Sequence, residues 1–338
     1  MTEYYRPLVQ IGPVRPDTAL QLAGGWGWFT HVEMVSRSKT SQVIEAAEIP
    51  ADVLARLTAK RAVVAGLSMD RPQIMGILNV TPDSFSDGGR HSNQYEAVLA
   101  GQAMVAAGAD IIDDGGESTR PGAELVAVEN EIERVAPVIK GLRAAGLRNA
   151  ISIDTRKAAV AEAAVLAGAT LVNDVSGFTF DAELAPFCHR HQIPLCVMHA
   201  QGEPATMHLD PFYDNVLLDV YDVLDRQINL LVESGIPREM ILADPGIGFG
   251  KTLEHNLALL ARISMFHALG TPLLLGVSRK KFIGTIGQTD NTQNRVAGSI
   301  AVALAGLAQG VQIIRVHDVA ETRQAVSLWH ASSFGSIL

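Results

Sequence analysis

Residues 150–174 read AISIDTRKAAVAEAAVLAGATLVND and set out one complete structural unit. A short apolar run, Ala150–Ile153, ends in the polar Asp154-Thr155-Arg156. An alanine-rich amphipathic segment, Lys157–Ala167, follows and stops at Gly168, and a second apolar run, Thr170–Val172, ends in Asn173-Asp174. Short uninterrupted apolar runs are what parallel strands look like when both faces of the sheet are covered, and a helix between two of them makes a right-handed βαβ crossover. A glycine just past the helical segment is the usual helix stop.

Outward from this stretch, the unit recurs from Gln73 onward. The apolar runs are Ile74–Val80, Asp110–Asp113, Ala150–Ile153, Thr170–Val172, Pro194–Met198, Met240–Ala243, Pro272–Val277 and Val311–Val316. The helical segments are Tyr95–Ala107, Ala127–Ala145, Lys157–Ala167, Ala182–His189, Asn215–Ser234, Leu253–Arg262, Arg295–Gln309 and Ala320–His330, several closed by glycine at Gly108, Gly168, Gly235 and Gly310. Eight such units over about 260 residues fit an α/β fold of the TIM-type (β/α)8 barrel better than an open doubly wound sheet.

Residues 1–71 stand outside the repeat and are expected to form an N-terminal extension packing on the barrel, residues 72–338 being the barrel domain. The extension opens with Pro- and Gly-rich text around Gly25-Trp26-Gly27-Trp28-Phe29. A strand-like piece and one helix near Pro50–Ala62 are expected. Aromatics gathered on a small segment more often serve packing than ligand capture, so the expectation is a flap on the barrel wall or base with its tryptophans buried.

Composition narrows the function. The 338 residues, 48% hydrophobic with 30 glycines, can bury a large core, which excludes a disordered or fibrous chain. The formal charge of −9 argues against a nucleic-acid or acidic-membrane partner, since either needs a basic field. Any anionic substrate must meet a local basic cluster instead. Met1 to Pro13 lacks a basic stretch followed by an apolar run, and nothing reaches about 18 uncharged apolar residues, so a cytoplasmic protein is expected. Cys188 and Cys196 alone make no disulfide framework, as suits a reducing compartment.

The order Cys188, His189, His191, Cys196, His199 raises the question of a zinc site. His189 and His191 close a helix, whereas Cys196 and His199 run along and beyond the next strand at about 3.3 Å per residue. The group is expected to be strung out along the barrel, with solvated histidines at the helix end.

Catalytic groups of such barrels come from the C-terminal ends of the strands. Here those ends are polar throughout: Asn79, Asp113 and Asp114, Asp154, Asn173-Asp174, Met198-His199, Asp244, Ser278-Arg279-Lys280 and Arg315-Val316-His317-Asp318. One polar strand end is ordinary turn chemistry, but eight converging on one mouth make a site. Asp154, Asn173 and Asp244 offer acceptors suited to a flat heterocycle with a row of N–H donors. Arg120, Lys280, Arg315 and His317 suit phosphate or carboxylate oxygens. One ligand with a nitrogenous ring and an anionic tail satisfies both halves.

Other motifs fall away. Gly246-x-Gly248-x-Gly250-Lys251-Thr252 approaches a Walker A loop, but Pro245 stands where its first glycine belongs, and the spacing is not that of a dinucleotide loop. There is neither a GxSxG nor an HExxH pattern.

Two blocks, Gly76-Ile77-Leu78-Asn79-Val80-Thr81-Pro82-Asp83-Ser84-Phe85-Ser86-Asp87-Gly88-Gly89 and Gly115-Gly116-Glu117-Ser118-Thr119-Arg120-Pro121-Gly122, resemble the two signature loops of dihydropteroate synthases. Asn173-Asp174, Met198-His199-x-Gln201-Gly202, Asp244-Pro245-Gly246-x-Gly248-Phe249, Ser278-Arg279-Lys280 and Arg315-Val316-His317-Asp318 are similar to that family's motifs, in the same order. The resemblance runs from about Pro72 to the C-terminus.

It implies a reaction in which 7,8-dihydropterin-6-ylmethyl pyrophosphate loses pyrophosphate and the amine of p-aminobenzoate takes its place. It implies that Asp154, Asn173, Asp244 and Lys280 hold the pterin, with Arg315 stacked on it and Met198 and Phe249 packed nearby. Asn79, Arg120, Arg315 and His317 would face the pyrophosphate, Asn79 being the family's magnesium-contacting position. Thr119, Arg120, Pro121 and Lys280 would receive p-aminobenzoate. The catalytic set is then Asp154, Asp244, Lys280, Arg315 and His317, the cofactor Mg2+, and the assembly a homodimer, as is common in the family. Because no residue at the mouth looks like an activated nucleophile, a pterin methylene cation stabilised by Asp154 and Asp244 suits the residues.

Plainer readings stand beside these. Asp154 and Asp244 could pair Lys280 or Arg315 simply to neutralise the interior, Ser118 and Thr119 could be turn formers, and Asp83 and Asp87 solvated loop acids. One departure is marked: the family usually has a branched apolar residue after Asp113, and here Asp114 follows. Successive strand residues face opposite ways, so the two acids cannot both enter the barrel, and Asp114 either caps a neighbouring backbone or reshapes the second loop. A pterin-binding methyltransferase barrel uses similar Asp and Asn positions but has no use for the Arg120 loop or for Arg315-Val316-His317. A non-catalytic pterin-binding barrel would not need basic residues at every expected strand end.

Overall fold

The protein is described by a computed structural model that covers residues 3–81, 90–118, 125–202, 207 and 210–337. Thirteen strands and ten α-helices lie among them. Eight strands form one parallel sheet: β6 (Gln73–Asn79), β7 (Ile111–Gly115), β8 (Ala150–Asp154), β9 (Leu171–Asp174), β10 (Leu195–Met198), β11 (Ile241–Asp244), β12 (Leu274–Gly276) and β13 (Ile313–Val316). Their order is β11-β10-β9-β8-β7-β6-β13-β12, and a parallel bridge between Ala243 and Leu273 joins the two ends into a barrel. The sequence reading of eight strands in a TIM-type barrel is correct, with boundaries displaced by one or two residues.

Side-chain alternation explains what fills the barrel. Met75, Ile111, Ala150, Leu171, Cys196, Leu242, Leu274 and Ile313, one from each strand, form a buried cluster near the strand starts. Inward positions recur every second residue, so the next layer is Ile77, Asp113, Ser152, Asn173, Met198, Asp244, Gly276 and Arg315. One apolar layer therefore seals the base, and a mostly polar one opens at the mouth. The outward positions, among them Ile74, Leu78, Ile112, Ile151, Ile153 and Ile314, pack under the helices.

The outer ring consists of α2 (Arg90–Ala106), α3 (Val128–Ala144), α4 (Ala158–Ala167), α5 (Leu184–His191), α6 (Val216–Glu233), α7 (Leu253–Ala261), α9 (Val296–Ala308) and α10 (Val319–Phe334). A short α8 (Lys281–Ile286) is added after β12. Its six residues carry too little periodicity to be read beforehand. No helix among the described residues is long and apolar enough to cross a membrane.

The first seventy residues hold more structure than one strand-like piece. β1 (Glu3–Pro7), β4 (His31–Ser36) and β5 (Gln42–Glu45) make an antiparallel sheet in the order β1-β4-β5, β2 (Leu20–Gln21) pairs β3 (Trp28–Phe29), and α1 (Ala51–Thr58) follows. These strands are two to six residues long, without clean alternation, so pairing partners far along the chain create them. Tyr5, Leu22, Phe29, Val32, Ile49 and Leu57 bury together with Ala268 of the 3-10 segment Ile263–Leu269. Ser264 Oγ donates to Pro7 O at 3.0 Å and Arg61 Nη2 to His267 O at 2.9 Å. Val64 and Met69 complete the apolar base layer, at the end opposite the mouth. The tryptophans, expected to be buried, are half-buried. Trp26 Nε1 donates to Leu307 O at 2.8 Å and its ring meets Trp329 edge-on, while Trp28 Nε1 donates to Gly12 O at 3.3 Å. Each indole keeps a carbonyl partner at the surface, as its N–H requires.

Candidate active site

Asp113 is the pivot of the mouth. Its Oδ2 accepts from Arg315 Nε at 2.6 Å and from Asn173 Nδ2 at 3.4 Å. Arg315 Nη2 reaches Asp154 Oδ2 at 2.8 Å, so a single guanidinium joins two buried carboxylates. Strand register brings this about: Asp154 lies beside Asn173 across β8 and β9, and Arg315 beside Gly276 across β13 and β12. Gly276 lies against the Arg315 and Asp244 side chains, and a Cβ there would make only ordinary contact, 3.9 Å from Arg315 Cβ.

Charge behaves accordingly. Burial disfavours the ionised form of Asp154 and pushes its pKa up, Arg315 opposes this, and Asp113 reinforces it. Burial works against Arg315 too, but Asp113 and Asp154 outweigh it and hold the guanidinium charged. Asp244 is raised by burial, against the Gly246 N–H and the nearby lysines Lys280 and Lys251. Its Oδ1 accepts from Gly246 N at 2.7 Å, and Met198 lies beside it in register. Lys280 Nζ stands 4.1 Å over the Phe249 ring, and burial with the Arg315 charge lowers its pKa to about 8.

Asn79 ends β6, half-buried at the mouth. His317 follows β13, with Nδ1 2.9 Å from Ser278 Oγ. Asp154, Asn173, Asp244 and Arg315 thus come together with Asp113, Lys280 pairs with Phe249, and Met198 abuts Asp244. Thr119, Arg120 and Pro121 lie outside the described residues, as do most of the first signature loop and its acids Asp83 and Asp87. The flanks of the second loop are fixed: Lys157 Nζ pairs with Glu117 and Glu131 and donates to Val126 O at 2.8 Å.

Several groups were not given their roles by sequence reading. Asp113 was recognisable only as one polar strand end among eight, because its partners come from β9 and β13. Lys251 belongs to the rejected nucleotide motif, yet it is buried and donates to the carbonyls of Gly246 at 2.9 Å and Phe249 at 3.0 Å. The same Nζ sits 2.9 Å from His199 Nδ1. Burial takes Lys251 down to about 7, and burial beside Lys251 takes His199 to about 3, so His199 is a neutral acceptor. This lysine knots the loop that presents Phe249. Gly246 is indispensable to it: φ is +67° and a Cβ would fall 1.8 Å from His199 O. At the helix end His191 is exposed and His189 half-buried, and no group of three possible metal ligands exists among the described residues.

Asp114 points the other way, into the layer between sheet and helices that Ile112 shares. It is fully buried, and among the described residues neither oxygen has a hydrogen-bond partner. It caps no backbone among the described residues. Burial, then the charge of Asp113, pushes its pKa well up.

Comparison with known proteins fits this geometry. Residues 75–317 match the family described as pterin binding enzyme. The chain is 45% identical over 266 residues to a dihydropteroate synthase of Escherichia coli K12, covering 79% of this chain and 93% of that one. The chain belongs to the dihydropteroate synthase family. It is accordingly a transferase of folate synthesis. A Yersinia pestis dihydropteroate synthase solved with a sulfonamide drug superposes with a TM-score of 0.74 at 45% identity, covering 79% of this chain and 96% of that one. A Xanthomonas albilineans dihydropteroate synthase in complex with 7,8-dihydropteroate gives 0.72 at 40% identity, over 79% and 95%. Both matches leave about the length of the N-terminal extension uncovered.

Proposed function

We propose that the mouth condenses 7,8-dihydropterin-6-ylmethyl pyrophosphate with p-aminobenzoate, giving 7,8-dihydropteroate and pyrophosphate. The observation that carries this is the inward polar layer, in which the acceptors Asp113, Asn173 and Asp244 share one opening with the Arg315 guanidinium. Asp154, Asn173 and Asp244 accept the pterin's ring N–H groups and Lys280 donates to its carbonyl side, while Arg315 stacks on the ring face with Met198 and Phe249 packed nearby. A dihydropteroate synthase of Xanthomonas albilineans has been solved with 4-aminobenzoic acid, which favours a second site for that amine here. Lys280 with Thr119, Arg120 and Pro121 receives it.

The chemistry follows from what these side chains can and cannot do. The methylene C–O bond breaks with its electron pair leaving on pyrophosphate, and the pterin methylene cation that remains is stabilised by the carboxylates of Asp154 and Asp244. Arg120, Arg315 and His317 hold the departing anion. The arylamine lone pair then forms the C–N bond and the nitrogen sheds a proton. Alignment of two held reactants is worth roughly 7–11 kcal/mol of barrier.

The donor set at Asn79 is one amide oxygen, which suits a magnesium ion carried in on pyrophosphate and keeping most of its waters. Bound there, magnesium would supply charge neutralisation for the leaving group. We also propose a homodimer. Ala297, Ala301 and Ala305 lie exposed along one line of α9, and Leu328 of α10 is 65% exposed. Light scattering on the purified protein tests it.

Asp244→Ala tests the site. Turnover is expected to disappear while the circular dichroism and melting transition persist, and wild-type turnover would remove Asp244 from the mechanism.

A further inference from the structure

We propose that Lys251 and Tyr213 are positioning residues, holding the turn that follows β11 from behind so that Phe249 and the Lys280 side chain stand against the pterin ring. The proposal rests on the reading that Phe249 and Lys280 meet the pterin, and it adds to that reading two residues that act through them.

The argument begins with the close approach of two backbones. Gly246 and Gly250 lie against the loop that follows β10: a Cβ on the first would fall 1.8 Å from His199 O, and one on the second 2.4 Å from Gln201 O. Backbones this close gather their carbonyl oxygens, and buried carbonyl oxygens need donors. Lys251 and Tyr213 supply them. Lys251 Nζ donates to Gly246 O at 2.9 Å and Phe249 O at 3.0 Å within the turn, and across to His199 O at 3.3 Å. A carbonyl can only accept, so these bonds keep their direction whether or not the amine carries its extra proton. Tyr213 reaches over from the other loop. Its OH donates to Gly250 O at 2.8 Å, and its ring meets His255 edge-on at the first turn of α7.

The turn pinned in this way carries groups of the mouth. Phe249, half-buried, sits between the pinned glycines, and Lys280 Nζ lies 4.1 Å over its ring. The Lys280 stem crosses Gly248, where a Cβ would come within 3.1 Å of Lys280 Cδ. Gly248 N in turn donates to Asn256 Oδ1 at 2.6 Å, and Gly246 N to Asp244 Oδ1 at 2.7 Å. Displacing the turn therefore moves the surface on which Lys280 rests. Lys251 itself is only 5% exposed, with its nitrogen among the carbonyls behind the turn, so it acts through Phe249 and Lys280 rather than on a ligand.

The test is calorimetric titration of the purified protein with 6-hydroxymethylpterin, set beside product inhibition by pyrophosphate. Lys251→Met keeps the stem and loses the donor. Tyr213→Phe keeps the ring and loses one O–H, so it tests the proposal even if the first variant fails to fold. Lys251→Met is expected to weaken pterin binding by about ten- to hundredfold, as misplacing a holding group does. Tyr213→Phe should weaken it by about three- to tenfold, the worth of one hydrogen bond. Inhibition by pyrophosphate should stay as in wild type, and in a Phe249→Ala background each loss should shrink, because a residue through which both act is gone. Wild-type pterin affinity in Tyr213→Phe, losses undiminished in the Phe249→Ala background, or an equal fall in pyrophosphate inhibition would overturn the proposal. A Phe249→Ala protein that binds the pterin as wild type does would instead overturn the reading beneath it, the placing of Phe249 on the ring.

Discussion

At the scale of single residues, two buried charges of opposite sign set when the mouth works. Asp154 must be ionised to hold a ring N–H, and burial has raised its pKa above the ordinary carboxylate range, so activity is lost as pH falls through that raised value. Lys280 must be protonated to donate, and its pKa is lowered to about 8, so activity is lost as pH rises through 8. The expected kcat/KM profile is a narrow bell, reporting the free enzyme. Lys280→Arg, whose charge persists at higher pH, should move the alkaline limb up by at least one pH unit even though turnover drops. An alkaline limb that stays at 8 in that variant would assign it to another group. Asp154, Asp244 and Arg315 could be picked from the sequence because strand-end position and residue type coincide. The roles of Asp113 and Lys251 could not, since each gains its role from a partner at least 52 residues away.

At the scale of elements, β7 shows how one strand serves two environments. Asp113 faces inward to Arg315, and Asp114 faces outward among apolar side chains, without a hydrogen-bond partner among the described residues. An acid whose folded pKa is raised destabilises the fold as pH rises from its unfolded value toward the raised one, because the folded state must keep a proton that the unfolded state gives up. Asp114→Val should therefore stabilise the protein by about 1–3 kcal/mol at pH 7 and by less near pH 4, measured by urea unfolding of both proteins across that range. Equal stability at pH 7 would mean that Asp114 has a partner in solution. The β/α alternation was legible because each apolar run lies between a helical segment and a polar turn. The six-residue α8 and the strands of the N-terminal sheet were not, because their formation depends on packing rather than on local periodicity.

At the scale of the whole molecule, the barrel has a closed end and a working end. The apolar layer, Val64 and Met69 close the first, and the N-terminal sheet leans on the 3-10 segment Ile263–Leu269 that leads into β12. The extension is anchored by contacts such as Trp26 on Leu307 and Trp329, so its energetics should be separable from catalysis. Trp26→Ala is expected to cost about 2–3 kcal/mol, less than a fully buried tryptophan would, with kcat/KM unchanged at 25 °C. A large fall in kcat/KM without loss of stability would tie the extension to the mouth. That separation follows from the barrel geometry and could not be read from the aromatic cluster alone.

The most direct measurement is pyrophosphate release by the purified protein supplied with 7,8-dihydropterin-6-ylmethyl pyrophosphate and magnesium, with and without p-aminobenzoate. The expected result is release matched one for one by dihydropteroate when the amine is present, with slower release in its absence as the cation is captured by water. Folded protein that releases no pyrophosphate under either condition would contradict the account.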